Sequence, residues 1–258
     1  MLFPFAICHV SVASLKKEPS HKSEQVSELL FGERVEILKR NEQGWVYVKI
    51  DWDGYEGWCR GGQLTTITKK EISKERKWLI TKPGDKILFE ENEMWLPLGA
   101  ELNKQKILVA ENEGKFKGKK ALLNEIVLNE ETIITAAKQF LYAPYLWGGR
   151  TVAGIDCSGL SQMAFKLCNK KLSRDAAQQA MEGEVVDFLQ HAKAGDLAFF
   201  DNAEGKIIHV GILLDTQNIL HATENSGSVV IDKIDGAGII SKTLRMRTHN
   251  LRMVKRLF

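Results

Sequence analysis

One cysteine in the C-terminal half has the surroundings of a reactive thiol. Cys157 follows Asp156, a good helix N-cap, and precedes apolar or small residues with helical spacing at positions 160, 163, 164, 167 and 168. It is therefore predicted in the first turn of a helix, where unpaired N–H groups and the helix dipole favour the nucleophilic thiolate. The alternative is a buried structural cysteine that happens to begin a helix, and the histidines bear on that choice.

His209 and His221 lie on two predicted strands, residues 207–213 and 217–223, which are joined by a turn at 214–216. In a plain hairpin centred on Asp215, the two histidines are directly opposite, with Cβ atoms about 4.5–5.5 Å apart. One imidazole can then take the thiol proton while the second fixes the orientation of the first. Two unrelated histidines are the alternative, because a two-residue turn or a β-bulge would shift the register by one residue.

The elements that position these residues form an α+β pattern from residue 129 to the end. Helical spacing is predicted at 133–141 and 172–181, on either side of the helix that begins at Cys157. Strands follow at 196–200, 207–213, 219–221, 228–232 and 251–258. Helices first and a cluster of strands after them favour an α+β domain.

The first half of the chain is a succession of short strands and turns. Residues 10–15, 29–31, 34–39, 45–50 and 57–59 predict a small closed barrel. A charged, weakly helical connector at 69–78 precedes further predicted strands at 86–90, 93–96, 107–110 and 121–127, with a turn at 112–114. The predicted domains are therefore residues 1–67, 68–128 and 129–258.

Composition and charge exclude several functional classes. Of the 258 residues, 44% are hydrophobic and 27% charged, as expected for a globular protein with a real core. A net charge of +3 is too small to indicate nucleic-acid binding, and no apolar run approaches the length of a membrane span. Four widely spaced cysteines favour neither a disulfide framework nor a four-cysteine zinc site. The apolar start has no basic residue ahead of it, which predicts a leaderless cytoplasmic protein, with export after leader removal as the alternative.

Five short motifs, in order along the chain, resemble those of the NlpC-type cysteine peptidases, a papain-like family that cuts peptides of bacterial cell walls. They are Tyr145-Leu-Trp-Gly-Gly149, Asp156-Cys-Ser-Gly-Leu160, Gly195-Asp-Leu197 with Phe199-Phe200, His209-Val-Gly-Ile212 and Leu220-His221-Ala222. The resemblance implies that Cys157 is the nucleophile, His209 the general base and His221 the residue that orients the base. It implies no cofactor and no metal.

Residues 15–20, 31–35, 44–48 and 54–58 resemble a bacterial SH3-like domain, and residues 93–102 look like part of a second, more divergent one. Barrels ahead of the peptidase are similar to the γ-D-glutamyl-L-diamino acid endopeptidases that recycle murein peptides. In that subgroup the first barrel closes one end of the cleft and recognises the free amino terminus of L-Ala-γ-D-Glu-diamino acid. The implied fold is α+β, a papain-like peptidase domain preceded by two small SH3-like barrels.

The same resemblance implies eight substrate-binding residues, namely Tyr55, Glu24, Tyr145, Trp147, Asp156, Ser158, Asp175 and Ala176. Asp156, Tyr55 and Glu24 would hold the ammonium group; a barrel-surface aromatic and a solvated loop charge are the alternatives for the last two. Ser158 and the 174–176 segment would bind the D-glutamyl carboxylate. A serine is usual in the family at the place of Ala176, so one hydrogen-bond donor is missing, a loss of about 1–3 kcal/mol.

Tyr145 and Trp147 would line the cleft, with a place in the core as the alternative for both. The expected activity is hydrolysis of the γ-D-glutamyl–L-diamino acid bond of murein peptides that carry a free N-terminal L-Ala. The expected protein is a monomer without nucleic-acid or membrane partners. Three alternatives stay open: an exported hydrolase of intact peptidoglycan, a non-catalytic cell-wall binding protein, and a zinc site built from Cys157, His209 and His221.

Overall fold

The computed structural model describes residues 4–103, 106–109 and 112–258, and the chain divides into two compact units, Met1–Ile126 and Val127–Phe258. Strands outnumber helices in the described residues, so the structure is more strongly β than the α+β prediction suggests. No helix within the described ranges is both long and apolar enough to cross a membrane. The division into three domains at 67/68 and 128/129 stays a prediction.

The first unit begins with seven antiparallel strands. They are β1 Phe5–Cys8, β2 Val12–Lys16, β3 Gln25–Leu30, β4 Arg34–Arg40, β5 Trp45–Ile50, β6 Glu56–Arg60 and β7 Leu64–Ile67. The sheet order is β3-β2-β6-β5-β4-β1-β7, and inward side chains from β1 to β6, such as Ala6, Leu15 and Val48, share one buried core. The sheet therefore curls into the small barrel that the strand spacing predicts, with β1 and β7 added to the predicted strands.

The described residues in the rest of the first unit form one short helix and seven short strands. They are α1 Lys69–Ile72, β8 Trp78–Ile80, β9 Lys86–Leu88, β10 Glu93–Trp95, β11 Glu101–Leu102, β12 Lys106–Val109, β13 Asn112–Lys117 and β14 Lys120–Leu122. The strands form two small antiparallel sheets, β10-β9-β13-β12 and β11-β8-β14. Ile80, Ile87 and Leu96 are among the residues of a common buried core.

Two predictions for this segment are wrong. Residues 112–114 form the start of β13 rather than a turn, because Gly114 serves close packing: a Cβ there would lie 2.3 Å from Ile87 Cγ2. The strand predicted at 121–127 is only β14, followed by a turn of 3₁₀ helix at Leu123–Glu125. Ala110, the predicted end of the 107–110 strand, lies outside the described residues.

The second unit has three helices and nine strands. They are α2 Glu130–Lys138, α3 Cys157–Leu167, α4 Ala176–Gln179, β15 Arg150–Thr151, β16 Gly154–Ile155, β17 Glu184–Val186, β18 Leu197–Asp201, β19 Ile207–Leu213, β20 Asn218–Thr223, β21 Ser228–Asp235, β22 Gly238–Ser241 and β23 Met246–Arg256. Seven of these strands form one antiparallel sheet in the order β17-β23-β18-β19-β20-β21-β22. Helix α3 packs against β19 and β20 of this sheet.

The helices differ from their predicted bounds for local reasons. Helix α2 begins earlier than residue 133 because the Asn129 side chain accepts the Thr132 N–H and caps it. Helix α3 starts at Cys157 as predicted, but it is buried all round rather than on one face. Of the helix predicted at 172–181, only α4 forms.

The β19–β20 hairpin has a different register from the predicted one. Ile212 pairs with Leu220 and Leu213 with Ile219, which places His221 opposite Gly211 rather than His209. Asp215 starts the turn instead of centring it, because its carboxylate accepts the Gln217 N–H at 2.7 Å. The resulting shift is two residues, and since side chains alternate with a period of two, both histidines stay on the same face.

Candidate active site

The start of α3 is fixed by the carboxylate of Asp156. Its Oδ1 accepts the Gly159 N–H at 2.7 Å, which caps the helix, and its Oδ2 accepts the Gly148 N–H at 2.7 Å. The Arg174 guanidinium donates to both oxygens, with Nη2 2.7 Å from Oδ2 and Nη1 3.0 Å from Oδ1. Both side chains are almost wholly buried, so the predicted N-cap is also half of a buried bidentate ion pair.

The Cys157 thiol lies at the first turn of α3 and faces β19. The backbone N–H groups of Val210 and Ser158 point at its sulfur and lower its pKa, as does the charge of Arg174. Burial acts in the opposite direction and is the largest influence; with the negative charge of Asp156, it raises the pKa of Cys157 to about 12. Proximity to the helix start therefore does not suffice for a thiolate here, and a base is needed.

The base is available on the strand that the thiol faces. His209 precedes Val210 on β19, and its Nε2 lies 2.9 Å from Nδ1 of His221, with the two rings nearly perpendicular at 84°. His221 Nε2 in turn lies 3.2 Å from Oδ2 of Asp232 on β21. Asp232, His221 and His209 form a continuous hydrogen-bonded series, called the histidine relay below. Because the relay occupies Nε2 of His209, its Nδ1 is the ring nitrogen left to act on the thiol.

A third histidine, which the sequence analysis did not select, supports the ring of His209. His249 on β23 stacks on it with centroids 4.1 Å apart and planes 22° apart, while Phe200 on β18 contacts both rings. Burial, followed by the nearness of His221 and His249, holds the pKa of His209 well below its ordinary value. Burial, assisted by His221 and opposed by Asp232, lowers the pKa of His249 to about 4. Near neutral pH the site therefore holds a neutral His209 imidazole and a neutral Cys157 thiol.

The predicted substrate-binding residues of the second unit lie around α3 and just before α4. The Ser158 hydroxyl joins the buried ion pair, accepting from Arg174 Nη1 at 2.9 Å and donating to Asp156 Oδ1 at 3.3 Å. Asp175 and Ala176 are half-buried at the start of α4, which packs against α3 and β19. Their roles in binding a substrate carboxylate stay predictions.

The two aromatic residues ahead of α3 differ in exposure. Tyr145 is half-buried, and its pKa is raised first by burial and then by the negative charges that Cys157 and Asp156 carry when ionised, which places it near the nucleophile. Trp147 is 58% exposed, so the alternative that it belongs to the core is wrong. An exposed indole beside the nucleophile segment is suited to contact a ligand.

Tyr55 and Glu24, the other predicted substrate-binding residues, belong to the first unit. The Tyr55 ring packs against the barrel core, and its N–H donates to Asp53 Oδ1 at 2.9 Å. Glu24 is exposed and forms an ion pair with Lys17 at 3.4 Å, which is the geometry of a solvated loop charge. A role for either residue in holding an ammonium group stays a prediction.

Sequence reasoning missed three residues that the structure brings to the candidate site, namely Asp232, His249 and Arg174. Asp232 carries a signal in hindsight, since it is an acid at the end of the apolar run 229–231 and lies on a predicted strand. His249 carries none, because the last strand was predicted to begin at residue 251, whereas β23 begins at Met246. Arg174 was noted only as part of the carboxylate-binding segment 174–176, and its ion-pair partner Asp156 lies eighteen residues away in sequence.

The neutral state of the thiol predicts how Cys157 responds to pH. We expect its carbamidomethylation by iodoacetamide to quicken continuously from pH 6 to pH 9, because a thiol with a pKa of about 12 has not begun to level off there. Peptide mass spectrometry with glutathione as reference thiol measures this, since the glutathione rate begins to flatten near its own pKa of about 8.5–9. A Cys157 rate that is already maximal at pH 6 would instead indicate a thiolate–imidazolium pair.

Metal binding has no geometric support in the described residues. Across ranges 4–103, 106–109 and 112–258, no three His, Cys, Asp or Glu side chains are arranged to hold a metal ion. The alternative of a zinc site made of Cys157, His209 and His221 therefore rests on ligand types alone, and metal analysis of the purified protein tests it.

Comparisons with known proteins agree with the site and the barrel. Residues 142–248 match the NlpC/P60 family, and residues 15–64 match the bacterial dipeptidyl-peptidase Sh3 domain. The chain is 34% identical over 227 residues to the gamma-D-glutamyl-L-lysine dipeptidyl-peptidase of Bacillus subtilis (strain 168), covering 80% of this chain and 74% of the relative. It is 27% identical to dipeptidyl-peptidase 6 of Lysinibacillus sphaericus, covering 89% of this chain and 92% of the relative.

A crystal structure of an NlpC/P60 family protein from Bacillus cereus has the same fold. The TM-score is 0.81 at 22% identity, over 98% of this chain and 99% of the other. The resemblance inferred from five short motifs is thereby confirmed, as is the SH3-like nature of the first barrel. Together with the identity over most of the B. subtilis relative, these matches show that the chain belongs to the NlpC/P60 family of cysteine peptidases.

Proposed function

We propose that this protein is a cysteine endopeptidase that hydrolyses the γ-D-glutamyl–L-diamino acid bond of murein peptides with a free N-terminal L-Ala. The name of the B. subtilis relative, gamma-D-glutamyl-L-lysine dipeptidyl-peptidase, supports the bond and the substrate class. The observation that carries the chemistry is the hydrogen bond between His209 Nε2 and His221 Nδ1. It leaves Nδ1 of His209 as the ring nitrogen that can accept the proton of Cys157, whose sulfur faces the same strand at Val210.

The proposed reaction starts with transfer of the Cys157 thiol proton to Nδ1 of His209. The thiolate sulfur attacks the γ-carbonyl carbon of the D-glutamyl residue and forms a tetrahedral oxyanion. The backbone N–H of Cys157, at the start of α3 where N–H groups lack intrahelical partners, stabilises that oxyanion. Collapse of the intermediate breaks the C–N bond, and His209 gives its proton to the leaving amine of the diamino acid.

A thioester remains between the γ-D-glutamyl group and Cys157. Water then donates a proton to His209 while its oxygen attacks the thioester carbonyl, and the sulfur leaves as the thiolate that His209 reprotonates. This cycle requires a neutral Cys157 thiol and a neutral His209 imidazole at its start, because His209 must be unprotonated to accept the first proton. The low pKa of His209 keeps it so over the neutral range.

Recognition of the substrate's amino terminus stays a prediction, and the contacts of Asp156 and Glu24 bear on the part that each residue would have in it. Asp156 uses its carboxylate oxygens for two backbone N–H groups and for Arg174, which also neutralises its charge. Its attraction for an ammonium group is correspondingly reduced. Glu24 is an exposed carboxylate in an ion pair with Lys17, which solvent screens, and it is the residue of the predicted clamp that we test.

We expect L-Ala-γ-D-Glu-L-lysine to be cleaved and the same peptide with an acetylated amino group to resist cleavage, because acetylation removes the charge that a carboxylate clamp binds. Mass spectrometry of the products measures both rates, and intact peptidoglycan serves as a third substrate. Glu24→Gln should reduce the difference between the cleavage rates of the two peptides. The control Glu42→Gln, on another loop of the same barrel, should leave that difference unchanged.

Equal cleavage of the free and acetylated peptides would refute the amino-terminus clamp but leave the endopeptidase intact. Cleavage of intact peptidoglycan alone would favour the wall-remodelling alternative. A protein that binds these peptides and cleaves none of them would be the non-catalytic binder.

The organisation around the peptidase domain is part of the same proposal. We place residues 1–67 in a first SH3-like barrel, 68–128 in a second and 129–258 in the peptidase domain. The two small sheets of the middle segment support the second barrel, since they share one core in the manner of a folded sheet. Cytoplasmic location and a monomeric state stay predictions, which cell fractionation and light scattering test.

A further inference from the structure

The end of the histidine relay is a carboxylate with two distinct partners. Oδ2 of Asp232 accepts from His221 Nε2, and Oδ1 accepts the backbone N–H of Lys242 at 2.9 Å. Asp232 is only 2% exposed, and its pKa is lowered by these hydrogen bonds and by the charge of Lys242, against the effect of burial. It is therefore an ionised group that accepts hydrogen bonds and donates none.

A neutral imidazole carries one proton, so the partner of one ring nitrogen decides the state of the other. When His221 is neutral, ionised Asp232 requires its single ring proton on Nε2, which leaves Nδ1 of His221 as an acceptor. His209 must then donate from its own Nε2, and its Nδ1 keeps a free lone pair. That lone pair is the base that the proposed reaction uses.

We propose that Asp232 is a positioning residue that sets the tautomer of both histidines and so makes Nδ1 of His209 the basic nitrogen. Asp232 does not touch the thiol, and it acts through His221. This assignment rests on the proposed function only for its catalytic consequence, because the proton positions are a property of the resting protein. The other titratable groups that face the relay are His249, stacked on His209, and Lys242, whose charge acts on Asp232.

The Lys242 N–H makes one substitution unusually informative. In an Asp232→Asn variant this backbone donor holds the amide oxygen, since the amide NH₂ group cannot accept it. The NH₂ group then faces Nε2 of His221 and donates to it. His221 must carry its proton on Nδ1, His209 must accept at Nε2, and its proton moves to Nδ1. The most conservative substitution therefore reverses the whole relay.

An Asp232→Ala variant imposes no such reversal, because it removes both acceptors and leaves His221 to select either tautomer. We expect kcat to fall by roughly 10²–10⁴-fold in Asp232→Asn, as for a base held in the wrong tautomer, and by less in Asp232→Ala. A purely structural role for the carboxylate predicts the opposite order, since asparagine preserves its shape and alanine leaves a cavity.

Long-range ¹H–¹⁵N correlation spectra of the imidazole rings, recorded near pH 8 without substrate, test the assignment independently of activity. The wild-type protein should show protonated Nε2 on both His209 and His221, and Asp232→Asn should show protonated Nδ1 on both. Asp235→Asn is the matched control, because it lies on the same strand and pairs with Arg247 away from the relay. It should leave both ring patterns unchanged.

The proposal is overturned if both rings keep the wild-type pattern in Asp232→Asn, or if Asp232→Ala loses at least as much kcat as Asp232→Asn. An inactive wild-type protein with the expected ring patterns would contradict the proposed function and leave the tautomer assignment standing. The two failures are therefore distinguishable.

Discussion

Replacement of Cys157 by alanine is expected to reduce hydrolysis of L-Ala-γ-D-Glu-L-lysine by roughly 10⁴–10⁶-fold while the fold persists. The side chain is small and lies at a helix start, and the cap on that helix comes from Asp156 rather than from the thiol. Removing the sulfur therefore removes the nucleophile without removing the structure that presents it. Product mass spectrometry measures the loss, and circular dichroism verifies the fold.

Cys168 provides the matched control for this substitution. It is another buried cysteine, 3% exposed, eleven residues further along the chain at the end of α3. Cys168→Ala deletes the same atom from the same helix and should retain activity close to that of the wild type. Wild-type rates in Cys157→Ala would show that the nucleophile is elsewhere, and a matching loss in Cys168→Ala would indicate a general packing effect.

Substitution of Arg174 by methionine is expected to destabilise the second unit by about 3–5 kcal/mol. The guanidinium is 1% exposed and forms a bidentate pair with Asp156, so its removal leaves a carboxylate in the interior without its counterion. Asp156 also caps α3, and its charge can then be relieved only by uptake of a proton or by local opening. Urea unfolding, followed by hydrogen exchange of the α3 amides, measures the change.

Arg247→Met is the comparison for this effect because Arg247 also forms a bidentate pair, with Asp235. In that pair both side chains are substantially exposed, 34% and 48%, and solvent already screens the charges. We therefore expect Arg247→Met to change the free energy of unfolding only slightly. Equal destabilisation by the two substitutions would show that burial of the Asp156–Arg174 pair adds nothing to its importance.

The parts of the site that depend on local sequence were predictable. An N-cap residue followed by helical spacing places Cys157 at the start of α3, because capping and periodicity act within a few residues. The contact between His209 and His221 was also predicted, although through the wrong register. The contact forms nevertheless because the register of the hairpin differs from the predicted one by two residues. The two histidines are then diagonal neighbours on one face of the sheet instead of a directly opposite pair.

The parts that depend on sheet order were not predictable from pattern alone. His249 reaches His209 because β23 pairs with β22 through its first half and with β18 through its second half. No local propensity specifies that double pairing. The thiol pKa shows the same limit, because the helix start argues for a thiolate while burial, which is a tertiary property, decides against it.

The turn predicted at residues 112–114 was wrong for a related reason. A glycine after asparagine and glutamate favours a turn on local grounds, yet Gly114 lies within β13. Its lack of a side chain admits Ile87 from the neighbouring strand β9, and only the packed structure contains that information. Tertiary packing thus overrode turn propensity there.

Phe200 links His209, the proposed general base, to the interior of the second unit. Its ring contacts His209 and His249 on one side, and it belongs to the buried cluster that also contains Ile219, Ile234 and Val254. The proton acceptor and the folded core therefore share a single supporting side chain. A substitution of Phe200 would therefore change the thermal stability of the second unit together with the setting of His209, whereas His249 acts on the same ring from outside that cluster.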